Sequence, residues 1–291
     1  MKNSGAAFRQ LLARPEILVI PGAFDGFTAK LIEQAGFNAV YMTGYGVSAT
    51  LGKPDVGLTT LTEMVERAAV IAHAVNIPLL ADADTGYGGI INLIRTIREY
   101  ERAGVAACHI EDQVFPKKCG SMKGKEVIPA EEMVAKIKAA VDARQDKDFV
   151  IVARTDSTAG YGLEGAIRRS QMYAAAGADA IMVMAPGLPE DMARFNKAVD
   201  IPTIMIMGES ERWIRNWRMV PNHELQALGF KVVIYPTSLL FGGGGMMRRV
   251  LEELKEKGTT EGLLGQMMKF QEVTDMLGLK EIYEQEAKYA G

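Results

Sequence analysis

The chain has 291 residues, of which 48% are hydrophobic and 24% charged, and its formal net charge is −3. A slightly acidic chain of ordinary composition argues against nucleic acid or an anionic membrane as a partner. The two cysteines are too few for a disulfide framework, and residues 1–10 lack the apolar run of a signal peptide or a membrane span. We therefore expect a cytoplasmic protein.

Eight short apolar runs have the composition of β-strands. They cover residues 17–20, 39–43, 78–81, 107–110, 149–153, 180–184, 203–207 and 231–235. Helical stretches lie between them, for example at 61–74, 93–103, 131–143 and 163–176. This alternation predicts parallel βαβ units, and eight units most simply close into a (β/α)8 TIM barrel. A doubly wound open sheet is the alternative, but the chain lacks the glycine-rich dinucleotide loop typical of that fold.

The pattern Ala-Gly-X-X-Ala occurs at residues 35–39, 103–107 and 176–180. Each copy ends a predicted helix with a glycine C-cap and opens a predicted strand. Because no linker interrupts the alternation, we predict one barrel domain over residues 1–291, with a C-terminal helical extension from about residue 246.

Acidic side chains follow the predicted third and fourth strands, at the end of a barrel where active sites lie. Strand periodicity places Asp82 with Asp84, and His109 with Glu111, on shared faces. Three carboxylates with no evident matching cation predict a site for a hard cation such as Mg²⁺. For Asp82 and Asp84 alone, a turn with capping acids is the alternative interpretation.

Cys119 lies in the polar segment Lys117-Lys118-Cys119-Gly120-Ser121. A thiol flanked by lysine and glycine is expected to be accessible and electropositive, which lowers its pKa and suits it to proton transfer. Lys118 and its neighbour Lys117 are either solvated loop charges or electrostatic groups of the site, and we favour the second role for at least one. Cys108, in an apolar run, is interpreted as a core residue.

Arg154 follows a predicted strand and precedes Thr155 and Asp156. Its guanidinium suits bidentate binding of a substrate carboxylate. A salt bridge to Asp156 or Glu111 is the alternative. His109 is either a ligand or a hydrogen-bonded core residue, and we predict no catalytic histidine.

Eight motifs occur in order, at residues 19–25, 41–44, 51–55, 82–88, 109–113, 117–120, 153–156 and 235–238. Together they resemble the isocitrate lyase and phosphoenolpyruvate mutase superfamily, in particular its methylisocitrate lyase-like branch. The resemblance implies a magnesium-dependent barrel, with Mn²⁺ as a possible substitute, and a gating loop that carries the cysteine. It also implies a homotetramer whose C-terminal helices are exchanged between subunits.

By the same resemblance, Asp82 is similar to the direct metal ligand, while Asp84 and Glu111 hold its waters and Asp55 supports the network. The other implied roles concern the substrate. The segment Thr43-Gly44-Tyr45 resembles the one that binds the 2-oxo acid half of the substrate.

In the implied reaction, a 2-hydroxy dicarboxylate is cleaved between C2 and C3. Arg154 binds a carboxylate, and Tyr41 lies near the hydroxyl. Cys119 resembles the general acid that protonates the departing carbanion, which Lys117 and Lys118 stabilise. Closure of the loop, including Gly120 and Ser121, excludes water from this intermediate.

The chain departs from the family pattern at three positions near the substrate. Ser121 replaces a histidine, Met184 stands where many relatives have glutamate, and Ile206 lies near a common asparagine. Met184 and Ile206 are either barrel core or an apolar wall of the pocket. An apolar wall suits methyl groups better than an extra carboxylate. It therefore favours an alkyl-substituted malate such as 2,3-dimethylmalate, cleaved to pyruvate and propionate.

Other activities on the same scaffold are 2-methylisocitrate cleavage, oxaloacetate hydrolysis or decarboxylation, and a carboxyphosphonoenolpyruvate mutase-like reaction. A catalytically silent relative that binds a dicarboxylate is a further alternative. The run Gly242–Gly245 is interpreted as a tight, close-packed turn before a helix from Met246, with phosphate binding as the less favoured role. Trp213 and Trp217 form a helical aromatic stripe, interpreted as an interface or as a lid.

Overall fold

The computed structural model describes residues 4–184, 186–209 and 219–290. Eight parallel strands form one closed barrel in sequence order. The strands, β1 to β8, are Leu18–Ala23, Val40–Met42, Leu79–Asp82, Ala107–Glu111, Val150–Thr155, Ala180–Val183, Thr203–Ile206 and Val232–Tyr235. The first strand pairs with the eighth, so the sheet has no free edge. The predicted TIM barrel is confirmed, and the open-sheet alternative is wrong.

Helices connect the strands on the outside of the barrel. In the described residues of the first compact unit, the helices α1 to α9 are Gly5–Leu12, Gly26–Gln34, Gly44–Thr50, Leu61–Ala74, Ile90–Arg102, Ala130–Ala143, Thr158–Ala175, Pro189–Ala198 and Asn222–Ala227. Two of them begin with reciprocal capping boxes, formed by Asp25 with Thr28 and by Thr60 with Glu63. Such caps explain why α4 begins where the apolar periodicity predicts.

The three Ala-Gly-X-X-Ala junctions adopt one conformation. Gly36, Gly104 and Gly177 each have a positive φ, between 84° and 103°. Each follows directly after a helix and its cap, as the left-handed C-cap glycine of the prediction requires.

The chain divides into two compact units, with the boundary between Ser238 and Leu239. The second unit is helical and contains most of α10 (Ser238–Lys257), a 3₁₀ helix (Glu261–Gln266), α11 (Phe270–Met276) and α12 (Leu279–Tyr289). The prediction of a tight turn at residues 242–245 is wrong, because these glycines lie inside α10. No helix among the described residues is long and apolar enough to cross a membrane.

Candidate active site

The strand register brings the predicted site residues to one face of the barrel wall. Residues paired across neighbouring parallel strands point to the same face. Asp82 on β3 pairs with His109 on β4, and Glu111 pairs with Arg154 on β5. The same face continues across β6 to β7, where it includes Ile206. Residues from five different strands therefore meet at one end of the barrel.

Asp82 is held in place by three donors. Its Oδ2 accepts the Gly44 backbone N–H at 3.2 Å and faces the Tyr41 hydroxyl at 3.5 Å, and its Oδ1 accepts the Asp84 N–H at 2.9 Å. Burial opposes the charge of Asp82, but the cations of Lys117 and Arg154 and the hydrogen bond from the Asp84 N–H oppose this effect, and its pKa is lowered. Asp82 is therefore an ionised carboxylate in a fixed orientation.

Lys117 supplies the cation that the sequence interpretation lacked. Its buried ammonium forms an ion pair with Asp55 and lies 2.6 Å from Asp84 Oδ1. Burial works against the charge of Lys117, yet the surrounding carboxylates raise its pKa well above the usual value. The expectation of acids without a matching cation is therefore wrong. Of the two interpretations of Lys117, the solvated loop charge is also wrong.

Arg154 lies between two carboxylates. Its Nη1 is 3.0 Å from Glu111 Oε2, and its Nε donates to Asp156 Oδ2 at 2.8 Å. All three side chains are buried. The salt bridges that were the alternative interpretation of Arg154 are present, and they fix the plane of the guanidinium in the barrel mouth. Binding of a substrate carboxylate by Arg154 stays a prediction.

The acids fit a hydrated magnesium ion. Within the part of the chain that the structure describes, no group of three His, Cys, Asp or Glu side chains is arranged as a direct metal cage. Magnesium does not need one, because it keeps several waters and binds through one or two carboxylates. Glu111 Oε1 is buried and, among the described residues, has no hydrogen-bond partner. An orphaned carboxylate oxygen beside Asp82 suits a metal-bound water.

Cys119 lies on the segment that folds over this end of the barrel. Its backbone N–H donates to the Asp55 carbonyl at 3.1 Å. Burial and the charge of Asp55 raise the pKa of the thiol, although a hydrogen bond from the Ser121 backbone opposes the shift. The expectation of a lowered thiol pKa is therefore wrong. A thiol that keeps its proton at neutral pH is suited to act as an acid.

Tyr45 belongs to the same neighbourhood, because burial, Cys119 and Asp55 together raise its pKa. The side chains of two other predicted site residues, Thr43 and Lys118, make contacts away from the acids. The Thr43 hydroxyl accepts the Gly46 N–H at 3.3 Å and caps α3. Lys118 is exposed, and its ammonium donates to the Gly124 carbonyl at 2.7 Å.

Two apolar residues, Met184 and Ile206, lie on the same face of the barrel wall as Arg154 and are called the apolar wall. Met184 and Ile206 are both buried, the first just after β6 and the second at the end of β7. A Cβ added to Gly120 would lie 2.0 Å from the Met184 methyl carbon, so this loop glycine rests directly on Met184. Loop and wall are thus in contact.

The sequence left two interpretations of His109, a ligand or a hydrogen-bonded core residue. The structure supports the second. His109 Nε2 lies 2.9 Å from the Tyr41 hydroxyl, and the two rings stack. Burial lowers the pKa of His109 to about 4, so the ring is neutral at pH 7. Trp213 and Trp217 lie outside the described residues, so their interpretation as an interface or a lid stays a prediction.

Sequence reasoning missed two residues of this site. It named Asp156 only as an alternative partner of Arg154, and it did not name Lys125, which donates to Asp156 at 2.9 Å. The two-residue spacing of Arg154 and Asp156 was a signal for a shared face. Lys125 offered no such signal, because its contacts depend on how the loop folds.

Gly44 offers a sharp test of this geometry. A Cβ at Gly44 would lie 2.5 Å from Asp82 Oδ2, so Gly44→Ala must displace that carboxylate. We expect kcat/KM to fall by about 100-fold, as a displacement of about 1 Å does in positioned sites. The control is Gly160→Ala, because among the described residues nothing lies within 4 Å of the added Cβ. Equal activity of both variants would contradict a role of Asp82 in the site.

Comparisons with known proteins identify the family of the chain. The family model described as phosphoenolpyruvate phosphomutase matches residues 8–255. The chain is 47% identical to 2,3-dimethylmalate lyase of Eubacterium barkeri, with 99% of each chain covered. It is 45% identical to probable 2-methylisocitrate lyase 2 of Corynebacterium glutamicum, covering 87% of this chain and 81% of the relative.

Among solved structures, phosphonopyruvate hydrolase in complex with oxalate and Mg²⁺ has a TM-score of 0.89 at 30% identity, with 99% of this chain and 100% of the other covered. Divalent metal is thus present in a protein of the same architecture. The family match over most of the chain and the full-length relatives lead to one conclusion. The chain belongs to the phosphoenolpyruvate mutase/isocitrate lyase superfamily and is a lyase.

Proposed function

We propose that this protein cleaves 2,3-dimethylmalate to pyruvate and propionate. The observation that carries the proposal is the apolar wall of Met184 and Ile206 in the barrel mouth that also holds Arg154. A methyl-substituted chain gains from contact with such a wall, whereas a third carboxylate would be buried there without a partner. The similarity to 2,3-dimethylmalate lyase over the full chain supports the same substrate.

The proposed cofactor is Mg²⁺, with Mn²⁺ as a substitute. Asp82 would bind it directly, and Asp84, Glu111 and Asp55 would hold its waters. When bound, the ion polarises the oxygens on C2 of the substrate. The proposal is supported by the ionised state of Asp82 and the orphaned oxygen of Glu111.

In the proposed mechanism, the protein positions the substrate before any bond breaks. Arg154 binds a carboxylate of the substrate, and the backbone of Thr43, Gly44 and Tyr45 cradles the half that becomes pyruvate. Tyr41 lies at the C2 hydroxyl. Its pKa is raised well above the usual value by burial and by Asp82, so it acts as a neutral phenol.

Cleavage requires loss of the hydroxyl proton, after which the electron pair of the C2–C3 bond passes to C3. Pyruvate is released, and the other fragment remains as the enediolate of propionate. Lys117 and Arg154 balance its negative charge. Cys119 donates its proton to C3. The proton lost from the hydroxyl leaves to solvent, and an equivalent proton returns to the thiol when the loop reopens, so no net proton is consumed. Lys118, Gly120 and Ser121 contribute to the closed loop around this fragment.

The test is pyruvate release from 2-methylmalate, 2,3-dimethylmalate, 2-methylisocitrate and oxaloacetate. We expect 2,3-dimethylmalate to be the best substrate. EDTA should abolish turnover, and added Mg²⁺ should restore it, because the carboxylates alone cannot polarise C2. Turnover that persists in EDTA would contradict the metal proposal. Turnover of oxaloacetate alone would favour the hydrolase or decarboxylase alternative.

The strongest rival substrate is 2-methylisocitrate, because a probable methylisocitrate lyase is almost equally similar to the chain. Ile206→Asn supplies a polar partner for an extra carboxylate. We expect it to raise the kcat/KM ratio of 2-methylisocitrate to 2,3-dimethylmalate by at least about 10-fold, as polar complementarity in a pocket does. The control is Ile206→Val, which keeps the wall apolar. An unchanged ratio in Ile206→Asn would show that Ile206 does not contact the substrate.

We also propose that the protein is a cytoplasmic homotetramer that recognises neither nucleic acid nor a membrane. The free state of both cysteines suits a reducing compartment. Within the second unit, Met247, Leu251 and Leu254 are exposed on one face of α10, which suits a contact with other subunits. We propose that the helices from about residue 246 extend the barrel domain and are exchanged between subunits. Sedimentation equilibrium should give the mass of four chains.

A further inference from the structure

We propose that Lys125 is a positioning residue that latches the loop of residues 117–124 over the active site. It does so by joining the loop backbone to the carboxylate that holds Arg154. The part of this inference that concerns protonation of the substrate rests on the proposed function. The closure of the loop does not.

The latch consists of two hydrogen bonds from one ammonium group. Lys125 Nζ donates to the Gly120 carbonyl at 2.5 Å and to Asp156 Oδ1 at 2.9 Å. The side chain of Lys125 is 6% exposed and that of Asp156 is fully buried. A buried charged hydrogen bond of this kind is stronger than one between neutral groups. The loop is therefore joined to the end of β5 by a direct contact.

Asp156 links the latch to the substrate site. Its Oδ2 accepts the Arg154 Nε–H at 2.8 Å, while its Oδ1 accepts from Lys125. Burial works against the charge of Asp156, but Arg154 and Lys125 more than offset it and hold its pKa below the usual range. Asp156 thus binds both Lys125 of the loop and Arg154. When the loop opens, Asp156 loses its contact with Lys125, although it still has to orient the guanidinium of Arg154.

Gly120 lies where closure is tightest. A Cβ at this position would lie 2.0 Å from Met184 Cε and 2.9 Å from Arg154 Nη2. The peptide at Gly120 therefore lies against both Met184 and Arg154, and a side chain at this position would have to displace their ends. Lys125 holds the carbonyl of this same residue, so the latch acts at the point of closest contact.

A different residue holds the start of the loop. The Gln113 amide accepts the Lys118 N–H and donates to the Lys118 carbonyl, both at 2.9 Å. Loss of Lys125 should therefore free the tip around Cys119 and Gly120 while the start stays attached. The expected result is a loop that opens more often, which admits water to the site and displaces the Cys119 thiol from C3.

The first measurement is amide hydrogen exchange of residues 118–122 in the ligand-free protein. We expect Lys125→Met to accelerate exchange of the Cys119 and Met122 amides by at least about 10-fold, since local opening sets their protection. Lys125→Arg, which keeps the charge, should retain part of the protection. Lys123→Met is the control, because Lys123 is an exposed lysine on the same loop. It should exchange like the wild type.

The second measurement reports on chemistry and would not respond to a merely structural role. Cleavage of 2,3-dimethylmalate in D₂O by the wild type should give a single enantiomer of 2-deuteriopropionate, because Cys119 delivers deuterium to one face of C3. Lys125→Met should give a mixture of enantiomers, since water then reaches both faces. Gly120→Ala should reproduce both effects by a different route, because the added Cβ collides with Met184.

The outcomes separate the two proposals. Wild-type exchange rates in Lys125→Met would overturn the latch, whatever the result for Gly120→Ala. So would retention of a single enantiomer by a Lys125→Met protein that turns over 2,3-dimethylmalate. If the wild type does not cleave 2,3-dimethylmalate, the proposed function fails, and the exchange rates alone still support or overturn the latch.

Discussion

Replacing Cys119 with alanine should lower kcat for 2,3-dimethylmalate by about 10²- to 10⁴-fold, the usual contribution of a general acid, while KM changes little. The thiol does not hold the substrate in the proposed mechanism, so its loss affects protonation of C3 rather than binding. Its raised pKa, caused first by burial and then by Asp55, keeps it protonated at neutral pH. Cys119→Ser should be similarly impaired, because an alcohol is a much weaker acid than a thiol. Steady-state kinetics of pyruvate release measure this.

Cys108→Ala is the matched control for this prediction. Cys108 is fully buried in β4, and burial raises the pKa of its thiol far from neutrality. Its loss should lower stability slightly and leave kcat unchanged. If Cys119→Ala keeps full activity, Cys119 is not the acid, and the hydrolase or decarboxylase alternative becomes the better account.

Replacing Lys117 with methionine should destabilise the protein by about 3 kcal/mol or more, the usual result of removing one partner from a buried ion pair. Lys117 contacts both Asp55 and Asp84 from a nearly inaccessible position. Methionine fills the volume but leaves these carboxylates buried without a cation. Urea unfolding in metal-free buffer measures the loss.

The adjacent Lys118→Met variant is the control for stability. Lys118 is exposed, and its ammonium contacts only a backbone carbonyl in the hydrogen bonds of the described residues. Its replacement should change the unfolding free energy by less than about 0.5 kcal/mol, as surface substitutions usually do. Equal stability of the two variants would contradict the role of Lys117 as the buried cation of the acid cluster.

The barrel was predictable because its signals are local. Each strand is a short apolar run, and α4 has the predicted bounds Leu61–Ala74, since its capping box and its apolar face lie in the same stretch of sequence. The prediction of a turn at residues 242–245 was wrong because it also relied on a local signal, the run of four glycines. Glycine disfavours a helix by about 1 kcal/mol per residue, yet these four residues are helical in α10.

The position of the acids was also predictable, because parallel strands end at the same rim of a barrel. The charge balance among them was not. Lys117 reaches Asp55 across 62 positions in sequence, and this contact depends on the path of the loop. The direction of the Cys119 pKa shift depends on the same path, because the folded loop half-buries a thiol that its sequence neighbours suggest is exposed.

The most direct test of the account is a competition between two substrates in one tube. Equal concentrations of 2,3-dimethylmalate and 2-methylisocitrate are mixed with the wild-type protein and Mg²⁺, and the products are followed by NMR. The first substrate yields propionate and the second yields succinate, so the initial product ratio gives the ratio of the two kcat/KM values. The apolar wall of Met184 and Ile206 predicts that propionate exceeds succinate by at least about 10-fold. An excess of succinate would contradict the proposed substrate.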